Sequence, residues 1–100
     1  MDQSAYYSAT MQYLNAVKAV GSTDSDKVMA QLKKTKINDM FAKDGYIRAD
    51  GLMVHSMYVM QVKKPAESKY PWDYYRVVKV MTGEEADGSQ PDPTCPMLKK

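Results

Sequence analysis

The sequence predicts an α+β fold in which two helices come first and three strands follow. Apolar residues recur at helical spacing near the start of the chain. From about residue 45 the composition shifts to Val, Tyr and Ile around an Asp-Gly turn, which favours antiparallel strands. With 100 residues, 44% of them hydrophobic, the chain has the size of one domain with a single modest core.

The first helix is predicted over residues 4–20. Its apolar stripe consists of Tyr6, Tyr7, Met11, Tyr13, Leu14, Val17 and Val20. The opposite face carries Ser8, Gln12, Asn15 and Lys18. We expect Ser4 to cap the start of this helix, and Gly21 to end it in a left-handed conformation.

The second helix is predicted over residues 24–35, with Thr23 or Asp24 as its N-cap. Because the connection from Gly21 is short, the two helices should form a helical hairpin. A turn or short helix follows, and we expect its Met40 and Phe41 to fill the core.

The strands are predicted over residues 45–49, 52–63 and 73–81, and the turn at Asp50-Gly51 joins the first two as a hairpin. One face of the long strand carries Val54, Ser56, Tyr58, Met60 and Val62, and the other carries Met53, His55, Met57, Val59 and Gln61. On the last strand, alternation places Tyr75, Val77 and Met81 opposite Tyr74, Arg76, Val78 and Val80. Neither face of the long strand is polar throughout, so both should be covered at least in part.

The folded unit is predicted to cover residues 1–86, and residues 87–100 are polar and proline-rich, which is typical of a loose C-terminal tail. The single cysteine, Cys95, lies in that tail. Two interpretations stay open for it: an exposed free thiol, or a disulfide to a cysteine outside this chain.

Charge and hydropathy exclude several classes of function. The formal net charge is only +2 and the lysines are spread out, which is not the pattern of a nucleic-acid-binding protein. We expect no membrane span, because no apolar run approaches the ~20 residues that one requires. The N-terminus lacks the features of a signal peptide, so the chain taken literally would stay in the cytoplasm.

The sequence predicts neither catalytic residues, nor a metal site, nor a cofactor. His55 is the only histidine and has no acidic residue at a recognisable spacing, so a hydrolase built on it is the weakest hypothesis. The glycines are scattered singly, and the carboxylates lack the spacing of a calcium loop. Nine methionines and eight tyrosines are unusual, and they suit either core packing or contact with another lobe, chain or ligand.

Three segments carry a resemblance to a known family. They read YYSATMQYLNAVKAVGSTDSDKVMAQLKK, GYIRADGLMVHSMYVMQVKKPAESKYPWDYYRVVKV and CPMLKK. Together they resemble the C-terminal end of solute-binding proteins of ABC importers, of the branched-chain amino acid type. The "DG-MVH-MY" and "PWDYY" pieces are the most specific.

The resemblance implies that the chain is the C-terminal part of one α/β lobe of a periplasmic binding protein fold. Such proteins have two lobes joined by a hinge, and the long strand would run near that hinge. They are periplasmic receptors without enzymatic activity, which deliver a small ligand to the permease of an ABC importer. Branched-chain amino acids, amides or urea, and aromatic acids are all ligands that the family would allow.

The resemblance also implies ligand-binding residues at the start of the first helix, namely Gln3, Ser4 and Tyr7 with Tyr6 as a neighbour. A helix N-terminus favours a carboxylate, and a tyrosine can stack or donate a hydrogen bond. The alternative is that these four side chains only cap and pack the helix. The alternative function for the whole chain is an interaction module that forms a homodimer through its Met- and Tyr-rich strands and binds no solute.

Overall fold

The computed structural model describes residues 2–88, 93–94 and 96–98, and its α+β architecture confirms the predicted fold class. In chain order the helices and strands are α1 (Asp2–Val20), α2 (Ser25–Lys34), β1 (Tyr46–Ile47), β2 (Met53–Val54), β3 (Met57–Val62), β4 (Tyr75–Met81) and α3 (Gly83–Asp87). Short 3-10 turns occur at Pro65–Glu67 and Pro96–Leu98. The loose tail predicted for residues 87–100 and the partner of Cys95 stay predictions, because residues 89–92, 95, 99 and 100 lie outside the described part.

The helical hairpin forms because both of its ends are stabilised locally. Gly21 ends α1 with a φ of 65°, and its N–H donates to the carbonyl oxygen of Val17 at 2.8 Å. Asp24 caps α2 by accepting a hydrogen bond from the N–H of Lys27 at 3.1 Å. The predicted cap at Ser4 is wrong, because the helix already includes Asp2 and Ser4 lies within its first turn.

α1 buries the side that carries Ser8 and Ala16, although Ser8 belongs to the face predicted to be polar. Of the other residues of that face, Gln12 is half-buried and Asn15 and Lys18 are exposed. Ser8 is 1% exposed and Ala16 is also buried, whereas Leu14, in the centre of the apolar stripe, is 52% exposed. The small side chains on this side allow α2 to approach closely. The hydroxyl of Ser8 donates a hydrogen bond to Asp39. The apolar stripe has no comparable cover within the described residues, since Tyr6, Tyr7 and Tyr13 are exposed as well.

The strand predicted over residues 52–63 is two strands with different partners. β2 pairs with β1 in antiparallel register, with Tyr46 opposite Val54. β3 pairs instead with β4, from Met57 opposite Met81 to Val62 opposite Tyr75. We call residues 57–81, which contain β3, β4 and the loop between them, the ribbon, and we call residues 2–54 together with α3 the helical part. The chain passes between them at 55–56 and again just after Met81.

A β-bulge on β4 changes which side chains share a face of the ribbon. Val59 lies opposite Lys79, but Met60 lies opposite Val77, so Val78 has no partner on β3. Simple alternation placed Met81 with Tyr75 and Val77. That grouping is wrong, because the extra residue moves Val80 to this face and Met81 to the other one.

The core lies entirely in the helical part of the described chain. Its buried hydrophobic residues are Ala16, Val28, Ile37, Ala42 and Val54. Met40 was expected to fill this core, but it is exposed and Phe41 is only half-buried; the smaller Ala42 is buried in their place. No side chain of β3 is buried, and on β4 only Met81 is even half-buried. The radius of gyration is accordingly 16.9 Å, against about 13 Å for a compact domain of this length.

Candidate functional site

The start of α1 carries the four predicted ligand-binding residues. Gln3 and Tyr7 are exposed, Ser4 is half-buried, and Tyr6 is the most exposed at 75%. All four lie on the first two turns of α1, and Gln3 belongs to the helix although the predicted helix began only at residue 4. Of the four, Tyr6 lines a depression on the surface of the helix.

Tyr6 lines an open depression of about 490 Å3 together with Asp2, Ala5 and Ala9. The two alanines leave room beside the tyrosine ring, which offers a flat apolar surface. Asp2 adds a carboxylate at the rim. A negative charge in the first helical turn offsets the positive end of the helix dipole, so this depression suits an ammonium group better than the carboxylate that we expected at this helix end.

A second cavity, of about 290 Å3, lies where the ribbon joins the helical part. Its walls are formed by Lys43, Asp44, Tyr46, Val54, His55, Ser56, Thr82, Gly83 and Glu84. The ring of His55 contacts that of Phe41 at a centroid distance of 4.9 Å, and its Nδ1 lies 2.9 Å from the carbonyl oxygen of Ser56. These contacts give His55 a packing role beside the chain crossing.

Gly83 makes this junction possible. A Cβ atom at this position would lie 2.4 Å from Cγ1 of Val54, and 2.8 and 2.9 Å from the backbone N and O of His55. Real Cβ atoms do not approach that closely, so any side chain here would push α3 away from β2. Because Gly83 has no side chain, the segment that leaves the ribbon after Met81 lies directly against Val54 and His55, where the chain enters the ribbon.

The turn at Asp50-Gly51 is closed by an ion pair within the segment RADG. The guanidinium of Arg48 donates from Nη2 to Oδ2 of Asp50 at 2.7 Å and from Nε to Oδ1 at 3.0 Å. The same carboxylate accepts from the N–H of Leu52 at 3.2 Å, and Gly51 adopts a φ of 90°. Arg48 holds the pKa of Asp50 below its ordinary value. A third donor of Arg48, Nη1, reaches the carbonyl oxygen of Gly88 at 2.9 Å and ties the end of α3 to this turn.

Asp39 organises the segment between α2 and β1. Its carboxylate accepts from the Ser8 hydroxyl at 2.6 Å and the Gln12 amide at 3.3 Å, and from the N–H groups of Phe41 and Ala42 at 2.9 and 3.0 Å. The Ser8 hydrogen bond is the main cause that lowers the pKa of Asp39, and partial burial opposes it. This cluster fixes α1 to the loop and explains why a serine is buried on that helix.

Asp73 plays the same part at the tip of the ribbon. It is buried, and it accepts from Nζ of Lys63 at 2.5 Å and from the N–H of Lys69 at 3.1 Å. The Lys63 hydrogen bond is the main cause of its lowered pKa. Trp72, next to it, is exposed and has a φ of 75°, a conformation that bulky residues rarely adopt.

Sequence reasoning missed both aspartates. For Asp39 a usable signal existed: an aspartate three residues before Ala42 in the segment NDMFA has the spacing of a side chain that caps its own backbone. For Asp73 there was no local signal, because Lys63 lies ten residues earlier and meets it only across the paired strands.

The described residues contain neither a metal-binding group of side chains nor a membrane-spanning helix. Residues 2–88, 93–94 and 96–98 contain no group of three or more His, Cys, Asp or Glu side chains placed to hold a metal ion. None of the helices in the same residues is both long and apolar enough to cross a membrane.

The chain is similar to proteins of known structure. It matches a crystal structure of a periplasmic binding protein from Burkholderia mallei at 60% sequence identity and a TM-score of 0.89, over 95% of this chain and 25% of that one. It also matches a branched chain amino acid ABC transporter periplasmic ligand-binding protein from Burkholderia xenovorans LB400 at 46% identity and a TM-score of 0.78, over 82% of this chain and 22% of that one. This chain thus spans about a quarter of the length of either protein. A comparison with curated proteins gave no match.

A family model agrees with these two similarities. The model of the periplasmic binding protein family matches residues 1–69, which is more than half of the chain. It therefore includes α1, α2, the RADG turn and the first strand of the ribbon. The chain belongs to the periplasmic binding protein family.

Proposed function

We propose that this chain forms part of a periplasmic solute receptor that binds a small ligand and delivers it to the permease of an ABC importer. One observation carries the proposal: 60% identity to a periplasmic binding protein over 95% of the chain. The match to a branched chain amino acid ligand-binding protein supports an amino acid-like ligand, with amides and aromatic acids as the alternatives. The mechanism is binding and release by cleft closure, with no covalent step.

The start of α1 is the part of the chain that we assign to the ligand. Gln3, Ser4, Tyr6 and Tyr7 share its first two turns, and Tyr6 and Asp2 lie side by side in an open depression. The Asp2 carboxylate would accept a hydrogen bond from the ligand's ammonium group, and a tyrosine ring would cover the apolar part of the ligand. An amino acid-like ligand carries both of these groups.

The junction of the two parts supports a position near the hinge for the long strand. Gly83 packs on the backbone of His55, so the two chain crossings between the helical part and the ribbon lie side by side. A pair of adjacent crossings would confine any bending between the two parts to one place. That arrangement suits a protein in which two bodies close on a ligand.

The test is a chimera in which this chain replaces its matching quarter of the B. mallei protein. Calorimetric titration with branched-chain amino acids, amides and aromatic acids should reveal at least one binding ligand. Tyr7→Ala and Tyr6→Ala should then weaken binding about ten- to hundredfold. Tyr13→Ala is the matched control, because Tyr13 is an exposed tyrosine further along the same helix. Equal losses in all three variants, or a folded chimera that binds none of these solutes, would refute the assignment.

A second candidate function is favoured by the exposure of the ribbon. A chain of 11.3 kDa with an uncovered apolar sheet face can bury that face by forming a homodimer, and the dimer would then act as an interaction module without solute binding. Light scattering after size exclusion distinguishes the candidates. A mass twice that of the chain supports the dimer, and a mass equal to that of the chain excludes it.

A further inference from the structure

One face of the ribbon is apolar throughout. It consists of Tyr58, Met60 and Val62 from β3 and of Tyr75, Val77 and Val80 from β4, and we call it the apolar ribbon face. Every one of its six side chains is about half exposed or more. The bulge at Val78 creates this face, because it brings Val80 rather than Lys79 opposite Tyr58.

The opposite face of the ribbon is mixed, because it carries Met57, Val59 and Met81 beside Gln61, Arg76 and Lys79. Gln61 lies opposite Arg76 and accepts a hydrogen bond from its Nε at 3.0 Å, and Lys79 lies opposite Val59. Arg76 also lies 3.6 Å from Glu67 in an exposed ion pair. The charged and amide side chains of the two strands thus lie on this mixed face and none lies on the apolar face, so the apolar face is the better suited of the two to pack against another surface.

The exposed area is larger than that of a compact monomer. The accessible surface is 7927 Å2, whereas a compact monomer of this mass has about 5,700 Å2. Exposed apolar side chains of the ribbon and of the apolar stripe of α1 (Tyr6, Tyr7, Met11, Tyr13, Leu14) contribute to this surface.

We propose that the apolar ribbon face is a permanent docking surface for the remaining three quarters of a periplasmic binding protein, and that it binds this remainder even when the two are separate polypeptides. The related B. mallei chain contains the same elements at a TM-score of 0.89 within a protein four times as long. A second copy of this chain fits less well, because a two-fold pairing of ribbons would leave both α1 stripes uncovered. The inference deepens the proposed receptor role by naming the partner that would complete it.

The experiment is a complementation in trans. The whole chain and the part of the B. mallei protein that it does not cover are unfolded in urea and refolded together, so that neither has to fold alone. We expect size exclusion with light scattering to show a one-to-one complex. An excess of the chain should not replace this complex with a homodimer of the chain. The assay contains no solute, so its result is independent of the proposed ligand binding.

Two substitutions on β3 test which face docks. Met60 is 48% exposed on the apolar face and Met57 is 45% exposed on the other one, so Met60→Lys and Met57→Lys place the same charge at equally exposed sites. Met60→Lys should weaken the complex at least tenfold, because a buried methionine is replaced by a cation, and Met57→Lys should leave the affinity within about twofold. Circular dichroism of each variant alone should match that of the parent chain.

Three outcomes would overturn the inference. The first is the absence of a complex after joint refolding, and the second is equal weakening by the two lysine variants. The third is a homodimer of the chain that persists in the presence of the complementing polypeptide. If the complex forms but a solute panel gives no binding, the docking surface stands and the proposed receptor function fails.

Discussion

The helical part and the ribbon are joined in one chain but are stabilised in different ways. The helical part has a core around Ile37 and Val28 and a carboxylate cluster at Asp39 that fixes α1 to the following loop. The ribbon has the pairing of β3 with β4 and the salt bridge between Asp73 and Lys63 at its tip, but its strands have no buried apolar side chain. A two-stranded sheet on its own is marginal in water. The difference teaches that the ribbon depends on its attachment to the helical part, whereas the helical part has a core of its own.

The largest expected contrast comes from truncating one apolar side chain in each part. Ile37 is 2% exposed and Val62 is 69% exposed. Ile37→Ala should lower the free energy of unfolding by about 3 kcal/mol, because it removes buried methyl groups and leaves a cavity. Val62→Ala should change it by no more than about 0.5 kcal/mol. Urea unfolding followed by far-UV circular dichroism measures both.

The same pair of substitutions can break the comparison. If Val62→Ala destabilises the isolated chain as strongly as Ile37→Ala, the ribbon must already be covered in solution, by a second copy or by the helical part. Mass measurement of the parent chain at the same concentration would separate these two explanations.

The second prediction concerns the junction between the two parts. Gly83→Ala should cost about 2 kcal/mol, because its Cβ would clash with Val54 and with the backbone of His55. The sign is informative, since the same change at a free helix position is stabilising by up to about 1 kcal/mol. Glu84→Ala, at the adjacent and exposed position, is the control and should be nearly neutral. A neutral or stabilising Gly83→Ala would show that α3 does not pack on β2.

The sequence was sufficient wherever the determinants are local. The helical hairpin follows from periodicity, from Gly21 and from the Asp24 cap, and the β1–β2 turn follows from Asp50-Gly51. These features need only neighbouring residues, so a pattern can reveal them. The resemblance to the family rested on longer motifs of the same local kind, and the family comparison confirms it.

The sequence failed where side chains meet across distance. Alternation could not reveal the bulge at Val78, which depends on the pairing of β3 with β4. Periodicity identified the apolar stripe of α1 but not its exposure, because burial depends on a partner. The described residues half-bury Val17 and Val20 but leave the rest of the stripe exposed. Met40 was expected in the core on hydropathy alone, yet the Asp39 turn directs Ala42 inward instead. The assignment of Gln3, Ser4, Tyr6 and Tyr7 to a ligand stays a prediction for the same reason.

The prediction with the smallest expected effect concerns the two hydrogen-bonded aspartates, Asp39 in the helical part and Asp73 in the ribbon. Ser8→Ala removes the hydrogen bond that contributes most to the lowered pKa of Asp39. The pKa of Asp39 should therefore rise toward its ordinary value near 4, and the chain should lose about 1 kcal/mol at neutral pH. The pKa of Asp73 should not change, because Lys63 and the N–H of Lys69 lower it and both are in the ribbon. Carboxyl 13C NMR titration reads the two groups separately.

The pH dependence of Ser8→Ala follows from the direction of this shift. A carboxyl whose pKa is lower in the folded state than in the unfolded state adds stability above its unfolded value, and this contribution is lost as the pH falls through the folded value. The stability difference between the parent chain and Ser8→Ala should therefore be full near pH 6 and shrink below about pH 4. A difference that stays constant down to about pH 2 would mean that Ser8 contributes by packing alone. A simultaneous change in the titration of Asp73 would mean that the ribbon and the helical part are coupled more tightly than their separate cores imply.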